Sequence, residues 1–256
     1  MKLNWQSPYQ QQEYNRALSS VGIETKTIET SKGKIFLNKL TTNKMTAWEV
    51  DSGIIPLKMK ENIYWKVNSI NAYNKIVWSE DNYYTLVIEG KKDFMLKYSS
   101  ANRRCIRKAL SMHLKHRVVK PNTVFFQKAL NLFKSRPETI EKLSIELFKN
   151  LTEALIRHEV ADLHIILLNK KVCAAALVLK SNKIANVRFI NSDKNSLCLR
   201  PVNLLYHSII ENYINLGYNY VDISGVVGPN DSNKKFLSIT HFKRGFTNKT
   251  IEFIKV

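Results

Sequence analysis

The sequence predicts an α/β (α+β) chain, with mixed sheets packed against helices and a change of character near residue 100. Three observations carry this. Before residue 100 stand short runs rich in β-branched and aromatic side chains, cut by Gly, Asn, Pro or Lys pairs. After residue 120 the pattern reads helix, helix, three close strands, helix, strand, helix, strand. Within that order one helix links two strands, and a helix between strands of one sheet makes a right-handed parallel crossover. Strands 183–191 and 218–224 should therefore lie side by side and parallel, with helix 201–216 over them.

The elements follow in order. "SPYQQQEYNRALSSVG" opens with a helix that Ser7 can cap, that Pro8 suits in its first turn and that Gly22 ends. Strands are expected over 23–30, 33–40, 63–70, 75–80 and 83–90. "ANRRCIRKALSMHLKHR" (101–117) then carries six Lys or Arg, two His and no acid. As a helix it places Cys105, Ile106, Ala109, Leu110 and His113 on one side and Arg103, Arg104, Arg107, Lys108 and Lys115 opposite, with Asn102 or Ser100 as cap. Like charges three and four apart repel by roughly a few tenths of a kcal/mol per pair. The strip is either a solvated face or one turned to an anion or a membrane surface.

Asn122 can cap a helix over 122–134. A longer one is expected over 135–159, where Ser135 and Glu138 have capping-box spacing, Pro137 lies in the first turn, and Ile140, Leu143, Leu147, Leu151 and Leu155 make the buried stripe. Strands 163–169, 171–180 and 183–192, joined by turns at Asn169-Lys170 and Ser181-Asn182, should form an antiparallel meander. The helix at 201–216 has Pro201 in its first turn and Gly217 at its C-terminal cap, with Val202, Leu205, Ile209, Tyr213 and Leu216 toward the sheet. A strand at 218–225, a helix over 230–242 and a closing strand at 249–256 complete the chain.

Composition narrows the partners. Apolar residues make up 44% and charged residues 24%, ordinary for a globular protein, but 40 Lys and Arg stand against 21 Asp and Glu, a formal charge of +19. Such a field attracts polyanions: tRNA, phosphorylated or lipid-linked substrates, or an anionic membrane met peripherally. The bland account is a coding sequence biased toward Lys, Asn and Ile. Cys105, Cys173 and Cys198 lack metal-ligand spacing and read as free thiols, buried in a reducing compartment. The first residues show no apolar secretory stretch, and no apolar run reaches the ~18 residues of a membrane span, so a cytoplasmic location is expected. No Ser-His-Asp set, zinc ligand set or nucleotide P-loop is present.

The order of elements after residue 120 resembles the core of the GNAT acyltransferase superfamily. In that fold the two parallel strands part, the acyl donor enters the gap, and its phosphates meet the N-terminus of the crossover helix. The usual glycine-bearing phosphate loop is missing here: the position reads "NSLCLRPVNLL". Gly lets backbone approach a phosphate closely, so its absence points away from an ordinary acetyl-CoA enzyme. "LRPVNLLYHSIIENYINLGYNYVDISG" followed by "FKRGF" resembles the Fem family, as do "SSANRRCIRKAL" and "WQSPYQQQEY". Members of that family pass an amino acid from aminoacyl-tRNA to peptidoglycan precursors. The resemblance implies a two-lobed tandem GNAT-like fold: a degenerate lobe over 1–100, to which the chain's end returns, a basic connecting helix at 101–120, and an acyltransferase lobe over 121–256.

It also implies a site. Lys243, in the late Phe-Lys motif, would stabilise the oxyanion of acyl or aminoacyl transfer, or else is a surface lysine after a helix. Asp222 would orient an amine or hydroxyl, or cap the loop that follows. Tyr206 is a candidate general acid, or a packing residue. Donor contacts fall to Arg188, on either face of its strand, and to Arg200, Pro201, Val202 and Asn203. Anion contacts fall to Arg103, Arg104, Arg107, Lys108 and Arg244. Phe242 and Phe246 should pack inward and fix what lies between them. No bound metal or redox cofactor is expected. The donor is a co-substrate, aminoacyl-tRNA or an acyl thioester on coenzyme A or acyl carrier protein, and the acceptor is an amine. The rival is a non-catalytic RNA-binding or membrane-surface protein on an inactive GNAT scaffold.

Overall fold

The computed structural model describes residues 11–30, 33–42, 45–51, 63–66, 83–90, 93–135, 144–181, 183–226, 234–247 and 249–253. The strand-rich first half gives β1 (Thr25–Thr30), β2 (Gly33–Thr42), β3 (Met45–Asp51) and β4 (Ile63–Lys66), a four-stranded sheet in that order, preceded by α1 (Gln12–Ser20). β3 was not expected from the sequence. The expected strand at 75–80, together with Ser7 and Pro8, lies outside the described residues.

β5 (Tyr83–Glu89) departs from the reading that put everything before residue 100 in one lobe. It joins a seven-stranded sheet with β6 (Lys115–Val119), β7 (Ala161–Leu168), β8 (Lys171–Ser181), β9 (Ile184–Ser192), β10 (Tyr220–Val226) and β11 (Thr250–Phe253), in the order β11-β5-β10-β9-β8-β7-β6. The reason is pairing: β5 lies antiparallel to both β10 and β11. The chain's end thus returns to a segment from the first half. Gly90, just after β5, fits because a Cβ there would stand 2.0 Å from the Tyr218 carbonyl oxygen.

The meander β7-β8-β9 is antiparallel throughout, as expected. α2 (Ser100–Ser111), α3 (Val124–Lys134), α4 (Ile145–Arg157), α5 (Pro201–Asn215) and α6 (Lys234–Arg244) complete the elements. One core joins α1, α3 and α4 to one side of the sheet through Phe126, Phe133 and Phe148. The other joins α2 and α5 to the opposite side through Ile106, Leu205, Ile209 and Tyr213. Each such buried side chain contributes roughly 1.5–3 kcal/mol.

Several boundaries move. The basic helix stops at Ser111, and residues 115–119 form the edge strand instead. His113 takes a left-handed backbone that ends the helix, and the β-branched Val118-Val119 pairs with β7. Ser99, neither Ser100 nor Asn102, caps α2 by accepting from the Asn102 N–H. Thr123 rather than Asn122 caps α3, and Ser135 ends that helix instead of starting the next. α4 begins after Ser144, whose hydroxyl accepts from the Leu147 N–H; Pro137, Glu138, Ile140 and Leu143 lie outside the described residues. Leu110, His113 and Leu216, expected to face inward, are exposed. Of the three thiols, all free, only Cys173 is buried.

Candidate active site

β9 and β10 are parallel neighbours over only three positions, Tyr220 with Ile184, Val221 with Ala185 and Asp222 with Asn186. Beyond Asp222 the register of β10 against β5 shifts, and Ser224 takes a left-handed backbone at φ 68°. Such a bulge bends a strand and increases its local twist. The β9–β10 ladder ends there, with the Ser224 hydroxyl donating across to the Val187 carbonyl of β9, at the end where the resemblance places the splay.

Asp222 sits at the end of that ladder, fully buried. Its Oδ1 accepts from the Ser224 N–H at 2.7 Å and from the Thr85 hydroxyl, and its Oδ2 accepts from the Asn186 amide at 2.8 Å. β5, β9 and β10 are therefore tied through one carboxylate. Burial pushes its pKa up, while the Thr85, Ser224 and Asn186 bonds and the nearby Lys243 charge pull it down. Asp222 closes an Asx turn two residues on, which is the geometry of the loop-capping reading. The sequence missed Thr85 and Asn186. The Asp-x-Ser-Gly run at the strand end was the signal for Ser224, while Thr85 and Asn186 enter only through strand register.

Lys243 comes from the last turn of α6, which packs on β10. It is 8% exposed, and its Nζ donates to the Gly225 carbonyl at 2.9 Å. Burial lowers its pKa to about 8, partly countered by Asp222. No direct ion pair joins the two among the described residues. An ammonium carries three N–H donors, so two remain for a substrate. The anchor is as expected: Phe246 is fully buried, Phe242 packs against it at 5.5 Å between ring centroids, and Tyr206 packs on both. Arg244 is exposed.

Other expected residues fall elsewhere. Tyr206 is buried among these rings, and burial followed by the Asp222 charge holds its hydroxyl well above the ordinary value. Its ring packs as the packing reading expects. Arg188 is half-buried, its guanidinium 5.2 Å from the centre of the Phe189 ring. At the start of α5, Arg200 has a left-handed backbone and spends its N–H on the Leu197 carbonyl, because a short 3-10 turn runs into the helix. Pro201 has no N–H to offer. The four donors expected at 200–203 therefore reduce to the backbone N–H groups of Val202 and Asn203. The Asn203 side chain is engaged, donating to Asn102 Oδ1 at 3.0 Å. Part of the Arg103 guanidinium is engaged within the chain: its Nη1 donates to the carbonyls of Leu96 and Tyr98. Arg104, Arg107 and Lys108 are exposed.

Among the described residues no group of three His, Cys, Asp or Glu is placed to hold a metal ion, and no helix is long and apolar enough to cross a membrane. A comparison with curated proteins finds no match. Among solved structures the chain is similar to FemX, with a TM-score of 0.69 at 12% identity over 96% of this chain and 92% of that one. It is also similar to the C-terminal domain of a putative lysylphosphatidylglycerol synthetase from Agrobacterium fabrum, with a TM-score of 0.59 at 13% identity over 94% and 86% of the two chains. L-PGS from Bacillus licheniformis gives 0.57 at 7% identity, over 94% and 89%. These likenesses carry the fold. Residues 97–244 match the acetyltransferase (GNAT) domain, which is more than half of the 256 residues. The chain belongs to the GNAT acetyltransferase family and is an acyltransferase by that membership.

Proposed function

We propose that this protein transfers an acyl or aminoacyl group from an activated ester or thioester to an amine, with aminoacyl-tRNA as the favoured donor. The observation that carries the reading is the Lys243 ammonium, held by the Gly225 carbonyl beside the end of the β9–β10 ladder. The acceptor nitrogen forms a bond to the donor's carbonyl carbon, and the carbonyl oxygen takes up negative charge. Lys243 supplies a preset cation for that charge, a contribution worth most where water is excluded. The C–O or C–S bond to the donor then breaks, and the amine's proton passes to the departing oxygen or sulfur by way of solvent. No metal or redox cofactor enters these steps.

The favoured donor rests on two features: the formal charge of +19, and the lack of glycine in residues 191–203 before and into α5. The backbone N–H groups of Val202 and Asn203 serve a phosphate of the donor, at the positive end of a helix dipole. Asp222 acts through Lys243 and the end of that ladder, as a positioning residue. The test offers the purified protein a mixed pool of radiolabelled aminoacyl-tRNA, or labelled acetyl-coenzyme A, with small primary amines as acceptors. Label should move from tRNA to amine in the wild type. Movement from the thioester alone would reassign the donor. No transfer from either, with RNA still retained, would favour the non-catalytic reading.

A further inference from the structure

The segment from the short 3-10 turn at residues 94–97 through the end of α2 has a surface that the reaction does not use. Arg103 donates to the Leu96 and Tyr98 carbonyls and so pins that turn beside the helix. Arg103, Arg107 and Leu110 follow at helical spacing, forming one row, and Arg104, Lys108 and Ser111 form the next. Leu96 is 77% exposed, Leu110 52% and Met112 43%. Arg104, Arg107 and Lys108 are exposed, and none of their side chains makes a hydrogen bond or ion pair among the described residues. From Ser99 to Arg117 there is no Asp or Glu. On the packed elements stand the acids Asp93, before the turn, and Glu211, on α5.

This surface is a band of cations with aliphatic side chains at both ends. Single-stranded RNA is gripped by aromatic rings that stack on bases. The exposed large apolar residues here are leucines and methionines. Such side chains seat in the headgroup and acyl boundary of a bilayer, while neighbouring Lys and Arg spread toward anionic headgroups. We propose that the exposed face of residues 95–112 is a contact surface for an anionic lipid bilayer. It is joined firmly to the catalytic lobe. The Ser99 N–H donates to the Gly245 carbonyl at 2.8 Å, two residues past Lys243, and Asn203 bonds Asn102. A protein seated by this face holds α5 and the Lys243 turn in a fixed orientation to the membrane, which suits an acceptor amine carried on a lipid.

The experiment is co-sedimentation with vesicles of equal parts phosphatidylglycerol and phosphatidylcholine, against vesicles of phosphatidylcholine alone. Wild-type protein should pellet with the former and far less with the latter. Arg104→Gln, Arg107→Gln and Lys108→Gln together should cut partitioning on the order of 100-fold, from roughly fivefold per cation near an anionic surface. Leu96→Ser, Leu110→Ser and Met112→Ser together should cut it about tenfold or more, and circular dichroism should show both triple variants folded. Equal binding to the two kinds of vesicle would overturn the proposal, as would full binding by the aliphatic variant. Capture of bulk tRNA that needs the three cations but not the three aliphatics, without vesicle binding, would assign the face to nucleic acid.

Discussion

Two buried polar networks lie in the seven-stranded sheet, and both converge on a carboxylate. On the continuous antiparallel side, His116 Nε2 bonds His164 Nδ1 at 2.9 Å, His164 Nε2 bonds the Tyr213 hydroxyl at 3.2 Å, and Tyr213 donates to Asp162 at 2.7 Å. Lys180 meets the same carboxylate directly at 3.0 Å, with both side chains about a fifth exposed. Burial keeps both imidazoles neutral, His116 down to about 4 and His164 well below its ordinary value. Every proton in that chain therefore points toward Asp162. At the end of the β9–β10 ladder, Asp222 collects Thr85, Ser224 and Asn186, but its lysine is held off on a backbone carbonyl. The first network ends in a quenched, partly hydrated ion pair. The second keeps a buried cation unquenched. A fold gains nothing in stability from such a cation, since burying charge without a direct partner is costly. Its presence beside the end of the β9–β10 ladder is what the proposed function rests on.

The largest expected effect separates the two carboxylates. Asp222→Ala leaves three buried donors without their acceptor, at about 1–3 kcal/mol each, and should cost about 3–5 kcal/mol in urea unfolding. Asp162→Ala, at a half-hydrated ion pair, should cost less, about 1–2 kcal/mol. Equal losses would erase the distinction.

Acid should act on the histidine side. Both native imidazoles have pKa values below the ordinary 6.5, so the unfolded chain binds more protons once pH drops below that value. Stability is fully present above 6.5 and should fall as pH drops toward 4, with a slope of up to about 1.4 kcal/mol per pH unit for each imidazole. His116→Gln should reduce that slope toward half. An unchanged slope would mean that the pair is not neutral in the folded protein.

The smallest effect belongs to the surface cations. Arg104→Gln with Lys108→Gln removes a repelling pair four apart and should raise thermal stability slightly, by roughly a few tenths of a kcal/mol. A clear loss would show that these residues support the fold rather than face a partner.

Much of the frame was legible because it depends on local patterns. The meander could be read from three apolar runs with turn residues between them, and the crossover from Pro201 and Gly217 around an apolar stripe. Lys243 was singled out only through the resemblance of its Phe-Lys motif to the Fem family's. What was not legible depends on register and on backbone carbonyls. Nothing near Thr85 tells that β5 will pair with β10 and aim a hydroxyl at Asp222. Arg103 counts as one more cation in sequence, yet its Nη1 donates to two carbonyls. His116 was read on a helix, and only its place on an edge strand brings it against His164.

The central claim is that Lys243 is an unquenched cation set for the reacting carbonyl. The most direct measurement is the single-turnover transfer rate of Lys243→Met from labelled aminoacyl-tRNA, with donor affinity measured separately and the rate followed against pH. Loss of one such donor costs on the order of 100-fold or more. The account predicts that loss with donor affinity unchanged. Stability should change little, relief of a buried charge offsetting the lost bond to Gly225. In the wild type the ammonium is present below its pKa, so the rate should carry a descending limb as pH rises through about 8, absent from the variant. A full rate in Lys243→Met, with the same pH profile as wild type, would contradict the account and leave "FKRGF" as a structural turn.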